Sequence, residues 1–255
     1  MRKSLAILEK ELEAYFVSPI AYAVITVFLL LSGFFFYNIL SYFNLQCLQY
    51  SQYPYMLEQL NVNEMVMRPL FHNMAIIILL ITPLLTMRLF AEERRSGTIE
   101  LLMTSPVTHW QVTLGKFGAC FIVYALMVGI TLLYTAVLMM HGEPDFGPIL
   151  SGYLGLLLMG AAFISVGLLA SSFTENQIVA AVISFGALLL FYMIGWLSNF
   201  VGTTMGEILS YLSIVEHLDD FVKGVIDTKD IVFYVSFVLF GIFVTVRSVE
   251  SSTWR

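Results

Sequence analysis

The chain has 255 residues, 59% of them hydrophobic and only 12% charged, with a mean hydropathy of +0.86. Soluble domains are about a quarter charged, so these totals exclude the ordinary soluble classes and point to a membrane protein. The formal net charge of −6 leaves no basic surface for nucleic-acid phosphates, and two cysteines, Cys47 in a loop and Cys120 in an apolar run, predict no disulfide framework.

In chain order, residues 2–19 predict an amphipathic helix. Leu5, Leu8, Leu12, Tyr15 and Phe16 recur at helical spacing, with Lys10, Glu11 and Glu13 opposite. Ser18-Pro19 ends it just before the first long apolar run, so it reads as an interfacial helix in the headgroups. That run, 20–39, starts too late and runs too long for a cleaved leader, and is read as an uncleaved span. Residues 41–70 read as an outer loop whose aromatics (Tyr42, Phe43, Tyr50, Tyr53, Tyr55) suit a membrane-interface belt. The second span, 71–90, contains Pro83, which removes a backbone hydrogen bond and predicts a kink, with Thr82 and Thr86 near the freed groups.

Spans three to five are placed at 117–140, 149–170 and 178–200. The fourth is crowded with Gly, Ala and Ser, which predicts close helix packing. In the SSFTENQ loop, Thr174-x-x-Gln177 matches a capping box for the fifth span. Residues 201–230 are too apolar for a free loop and too charged for a span, so a re-entrant pair of short helices in the outer leaflet is expected. His217 beside Asp219 and Asp220 reads as a solvated helix face, not a metal site. The sixth span is 231–246.

With both termini in the cytoplasm, Arg2, Lys3, Lys10, Arg88, Arg94, Arg95, Lys116, Arg247 and Arg255 lie inside. Arg68, Lys223 and Lys229 lie outside. Nine against three satisfies the positive-inside rule. No acid or base falls in the middle of a predicted span, which removes the usual machinery of ion-coupled transport. Nor do the spans offer paired acids, a Ser–His pair or metal ligands for an intramembrane enzyme.

The segment FAEERRSGTIELLMTSP, residues 90–106, is charged and sits between two spans on the cytoplasmic side. Basic residues alone would suit anionic lipid. Three glutamates beside the apolar pair Leu101 and Leu102 suit a protein groove better. Gly97 can supply a turn or a close approach, and Thr98 can cap a second short helix.

The pattern AEERRSGTIELLMTSPV followed by LGK at 114–116 resembles the cytoplasmic coupling helix of type-2 ATP-binding-cassette (ABC) exporter permeases, E-x-x-x-G-T-x-E-x-L-x-x-S-P, here Glu93, Gly97, Thr98, Glu100, Leu102, Ser105 and Pro106. NVNEMVMRPLF, SSFTENQIVAA and EHLDDFVKGVIDTKDIVFYVS extend the resemblance over nearly the whole chain and are most similar to permeases of the gliding-motility and copper-enzyme-maturation kind.

The resemblance implies an all-α integral membrane protein, one permease domain over residues 1–255, in the cytoplasmic membrane of a prokaryote. It implies ATPase coupling through Glu92, Glu93, Arg94, Gly97, Thr98, Glu100, Leu101, Leu102, Ser105 and Pro106, with Pro83 as a hinge. No phosphate-binding G-x-x-x-x-G-K-[ST] is present, so no catalytic, cofactor or metal residues are expected in the chain, and ATP and magnesium would sit in a separate dimeric ABC ATPase. A second permease subunit, identical or related, and an extracytoplasmic accessory protein complete the expected partners. The competing reading is a membrane scaffold whose ATPase drives mechanical work without moving a solute.

Overall fold

The structure, a computed structural model, describes residues 2–52, 55, 60–98, 107–142, 144–198, 200 and 202–252. All elements among them are helical: α1 (Arg2–Val17), α2 (Pro19–Tyr50), a π-turn (Asn63–Met67), α3 (Arg68–Thr86), α4 (Arg88–Arg95), α5 (His109–Ile130), α6 (Leu132–His141), α7 (Phe146–Ser172), α8 (Gln177–Ser198), α9 (Thr203–Leu212), α10 (Ile214–Val222) and α11 (Thr228–Ser252). Six continuous or once-broken helices are long and apolar enough to cross a membrane: Pro19–Tyr50, Asn63–Arg95, His109–Met140, Phe146–Ser172, Gln177–Gly195 and Thr228–Ser251.

Helix α7 is the centre of the bundle. Its most apolar stretch is 67% buried and that of the neighbouring second span 72%, against 17% for α8 and 28% for α2. Its small residues receive side chains from three directions: Gly152 faces Phe71 of α3, Gly155 faces Leu218 and Phe221 of α10, and Gly160 faces Tyr124 of α5. Near its other end Gly167 faces Thr86. A methyl group at any of these would overlap the neighbour, so the predicted close packing is realised. Buried hydroxyls tie the same helices together. Tyr124 donates to the Leu156 carbonyl at 2.6 Å and Ser151 to the Phe221 carbonyl at 2.6 Å.

Several boundaries differ from those read in the sequence. The first span runs on to Tyr50, so Ser41–Tyr50 is helix and not loop, and Cys47 lies within it. The third begins at His109, under a Thr108–Gln111 capping box, and breaks at Thr131. The loop before α8 holds no capping box from Thr174 to Gln177. Instead Asn176 accepts from the Ile178 amide at 2.9 Å and Thr174 accepts from the Asn176 amide at 3.1 Å. Between α8 and α11 lie two short helices, α9 and α10, as the composition suggested.

Helix α1 also turns a different face inward from the one expected. Its inward face carries Ile7, Leu8, Glu11, Leu12 and Tyr15, while Leu5 and Phe16 point away. It lies on α5, where Gly115 admits Ile7 and the Ser4 carbonyl and Gly118 admits Leu8. Glu11, a member of the polar face by hydropathy, therefore points into the protein.

Candidate functional site: the charged segment after the second span

The chain leaves α3 through a discontinuity. Pro83 has no amide proton to donate, and Thr82 and Thr86 bond back to Ile78 (2.6 Å) and Thr82 (3.0 Å), a pattern that bends helices. One turn beyond the proline, Met87 takes a turn conformation and α4 begins. Ser171, at the end of α7, closes the gap. Its Oγ accepts from the Phe90 and Ala91 amides at 3.0 and 3.1 Å and donates to the Met87 carbonyl at 2.9 Å. Tyr15 of α1 donates to the Leu85 carbonyl at 2.6 Å, and the Arg88 guanidinium lies 4.2 Å from the Tyr15 ring centre. Burial pushes the Tyr15 phenol well above its ordinary value, so it stays a donor.

Below the break lies an ion cluster that the sequence reading did not find. Lys116 of α5 is 1% exposed and bonds Glu11 of α1 at 2.8 Å and Glu93 of α4 at 2.9 Å. Its ammonium also lies 5.4 Å from the Phe90 ring centre, and Lys10 stands 3.9 Å from Glu93. Glu93 Oε2 and Arg88 Nη2 are buried without a hydrogen-bond partner. Two carboxylates on one buried ammonium hold three helices together at a site where separating either partner is expensive. The signal in the sequence was Lys116 itself, placed just before the expected third span. Once the helix starts at His109, that lysine lies two turns inside it.

The predicted coupling residues divide between these environments. Glu93 faces inward, committed to Lys116. Arg94 is half-buried, with its Nε sealed from solvent. Glu92, Arg95, Ser96, Gly97 and Thr98 are exposed. Ser96 caps the end of α4, its amide and hydroxyl both bonding the Glu92 carbonyl, at 3.0 and 2.9 Å, and its hydroxyl meets Thr98 at 2.8 Å. Gly97 turns the chain with φ +70°, a conformation that favours glycine, and among the described residues nothing stands where a Cβ would. Glu100, Leu101, Leu102, Ser105 and Pro106 lie outside the described residues. Lys10, Glu11, Arg88, Glu92, Glu93 and Lys116 line a cavity of about 230 Å³ between α1 and α4.

At the opposite end of the bundle, Asp219 of α10 meets His72 (3.0 Å) and Arg68 (3.4 Å) of α3 and also Lys223 (3.0 Å). The His72 hydrogen bond, then Lys223, hold the Asp219 carboxyl well below the usual carboxylate range. His217 is not on a solvated face as expected. It is 5% exposed and paired with Asp230 at 2.6 Å. No group of three or more His, Cys, Asp or Glu side chains among the described residues converges as a metal site would require.

A family profile described as "ABC-2 family transporter protein" matches residues 5–249. The chain belongs to the ABC-2 transporter family. Among curated proteins it is similar to the probable multidrug ABC transporter permease YbhR of Escherichia coli K12 and of Escherichia coli O157:H7. Each is 30% identical over 87 residues, which is 34% of this chain and 23% of the relative. With six apolar helices of spanning length, this ABC-2 chain is a multi-pass transmembrane permease of the ABC transporter class.

Proposed function

We propose that this permease works with a separate dimeric ATPase, in the cytoplasmic membrane of a prokaryote and with both termini inside, to export a substrate. It would do so as a pair of permease subunits around a shared path. The observation that carries this reading is the braced break at Met87. The exposed edge of α4 and the turn at Gly97 project from the bundle, yet Ser171 and Lys116 tie their base to α7, α5 and α1. A force applied to that edge reaches the span through Pro83 and reaches α1 through Lys116, which suits a lever better than a solvated loop.

Glu93 serves the lever's internal brace, and contact with basic groups of the ATPase falls to Glu92, with Arg95 facing acids there. The ATPase supplies ATP and magnesium binding; an extracytoplasmic accessory protein belongs to the proposal too. Kinship with gliding-motility or copper-enzyme-maturation permeases rests on the sequence resemblance alone.

The test is to purify the tagged chain from its own membrane and look for a co-purifying subunit that carries a G-x-x-x-x-G-K-[ST] phosphate loop. ATP turnover is measured on the same sample. Such a subunit is expected with the wild type and depleted with the double variant Glu92→Ala/Arg95→Ala, while the variant's melting temperature is unchanged. Equal recovery from wild type and variant would reduce the segment to a solvated loop.

A further inference from the structure

At the end of the bundle away from Lys116, a cavity of about 240 Å³ is lined by Asn61, Asn63, Glu64, Arg68, Asp145 and Lys223. Arg68 opens α3 and Asp145 stands immediately before α7, so the cavity lies where two spans begin, which is headgroup depth for a spanning bundle. Asn63 is only 7% exposed. Its backbone amide donates to Asn61 Oδ1 at 2.8 Å, and its Nδ2 donates to the Asp145 carbonyl at 3.1 Å. A carbonyl only accepts, so this second bond fixes which end of the side chain is nitrogen. The oxygen at the other end, Oδ1, is buried with no hydrogen-bond partner among the described residues. A buried acceptor in that state is costly until a donor reaches it.

The rest of the lining carries both signs. Asp145 stands where an aspartate usually caps its own helix, yet its carboxylate makes no capping bond. With Glu64 and Asn63 Oδ1 it forms a set of acceptors. Arg68 and Lys223 form a set of donors. The π-turn, closed by the Arg68 amide on the Asn63 carbonyl, keeps Arg68 one wide turn from Asn63 at the same cavity. Both bases meet Asp219, at 3.4 and 3.0 Å, and Lys223 also stands 4.0 Å from Asp220. A guanidinium has five N–H donors and an ammonium three, so each has more to offer.

We infer that this cavity binds a zwitterion in which a primary ammonium is joined to a phosphate, the headgroup of an aminophospholipid. The ammonium brings N–H donors to Asn63 Oδ1 and a positive charge to Glu64 and Asp145. The phosphate oxygens accept from Arg68, whose planar fork suits them, and from Lys223. A simple anion leaves Asn63 Oδ1 unmet, and a simple cation is opposed by the two bases. A quaternary ammonium has the charge but no N–H, so a choline headgroup fails the orphaned oxygen. A lipid held here bridges the π-turn, the start of α7 and the end of α10. The inference needs neither the ATPase nor a particular orientation of the bundle.

The test is native mass spectrometry of the full chain in detergent, supplied with phosphatidylethanolamine and phosphatidylcholine of identical acyl chains. The wild type should retain the ethanolamine lipid at least about tenfold better, because a charge-assisted hydrogen bond separates the two. Asn63→Leu, close to asparagine in size but without an acceptor, should retain both lipids equally. That change also removes the bond to the Asp145 carbonyl, so Glu64→Gln/Asp145→Asn gives a second check. It keeps that bond, strips the acceptor set of its charge, and should lower ethanolamine-lipid retention about tenfold. Free phosphoethanolamine, added in place of lipid, separates the two sources of this chemistry. An adduct of equal yield assigns the cavity to a water-borne zwitterion, and no adduct assigns it to the bilayer. Equal retention of the two lipids by the wild type overturns the inference. So does an ethanolamine preference that survives Asn63→Leu, or retention that Glu64→Gln/Asp145→Asn leaves unchanged.

Discussion

At Lys116 the chain concentrates its largest electrostatic commitment, because one buried ammonium answers two carboxylates on two other helices. Lys116→Met leaves Glu11 and Glu93 facing each other with only the exposed Lys10 nearby, which should destabilise the protein by about 3–5 kcal/mol. The triple variant Lys116→Met/Glu11→Gln/Glu93→Gln should recover most of that loss, since neutral amides tolerate the same site. Thermal unfolding in detergent measures both, and a single variant that melts with the wild type would show the cluster to be idle. Ser171→Ala makes a separate prediction. It strips the Phe90 and Ala91 amides of their acceptor, and buried donors left unmatched cost about 1–3 kcal/mol. That loss should appear as faster hydrogen exchange confined to the Met87 break. At Gly97 the φ of +70° penalises any side chain by about 1–2 kcal/mol. Gly97→Ala and Gly97→Val should therefore both disturb the turn, in an ATPase-binding assay, although nothing there clashes with them.

The helices were legible in the sequence where one signal dominated and illegible where a distant residue decided. All six spans are apolar runs, and all six appear. Their ends drifted because hydropathy fades before the helix does. After Ile39 the Tyr-, Gln- and Asn-rich stretch holds no glycine or proline until Pro54, so α2 continues to Tyr50. The orientation of α1 failed for a different reason. Glu11 reads as polar and outward unless its partner is known, and that partner is 105 residues away. His217 failed likewise, because its sequence neighbours Asp219 and Asp220 turn toward lysines while Asp230 takes the ring. The small residues of α7 were legible as packing, and they carry the prediction at this scale. Gly160→Ala drives a methyl into Tyr124, whose hydroxyl holds the Leu156 carbonyl, and should cost about 1–3 kcal/mol. Gly147→Ala, on the same helix with open space, should be neutral. Equal melting of the two would contradict the packing.

Taken as one body, the bundle has two chemically different ends, and they make the topology testable. The Lys116 end carries Lys10, Arg88, Arg94, Arg95 and Arg247. At the other end Arg68, Lys223 and Lys229 are each paired with an aspartate. The proposed orientation, with the Lys116 end in the cytoplasm, rests on the larger number of basic residues at that end. Single cysteines in a chain whose own Cys47 and Cys120 are replaced can read this directly. Ser51 and Thr204 are exposed at one end; Ser96 and Glu175 are exposed at the other. Ser172, although in the same loop region, is buried and would report nothing from either side. A membrane-impermeant maleimide added to intact cells should label Ser51→Cys and Thr204→Cys only. In inverted vesicles it should label Ser96→Cys and Glu175→Cys. If the Gly97 turn docks on the ATPase, Ser96→Cys should also become protected when that subunit binds, while Glu175→Cys stays reactive or changes less. Labelling of Ser96→Cys in intact cells would reverse the orientation and remove the coupling role from the charged segment at once.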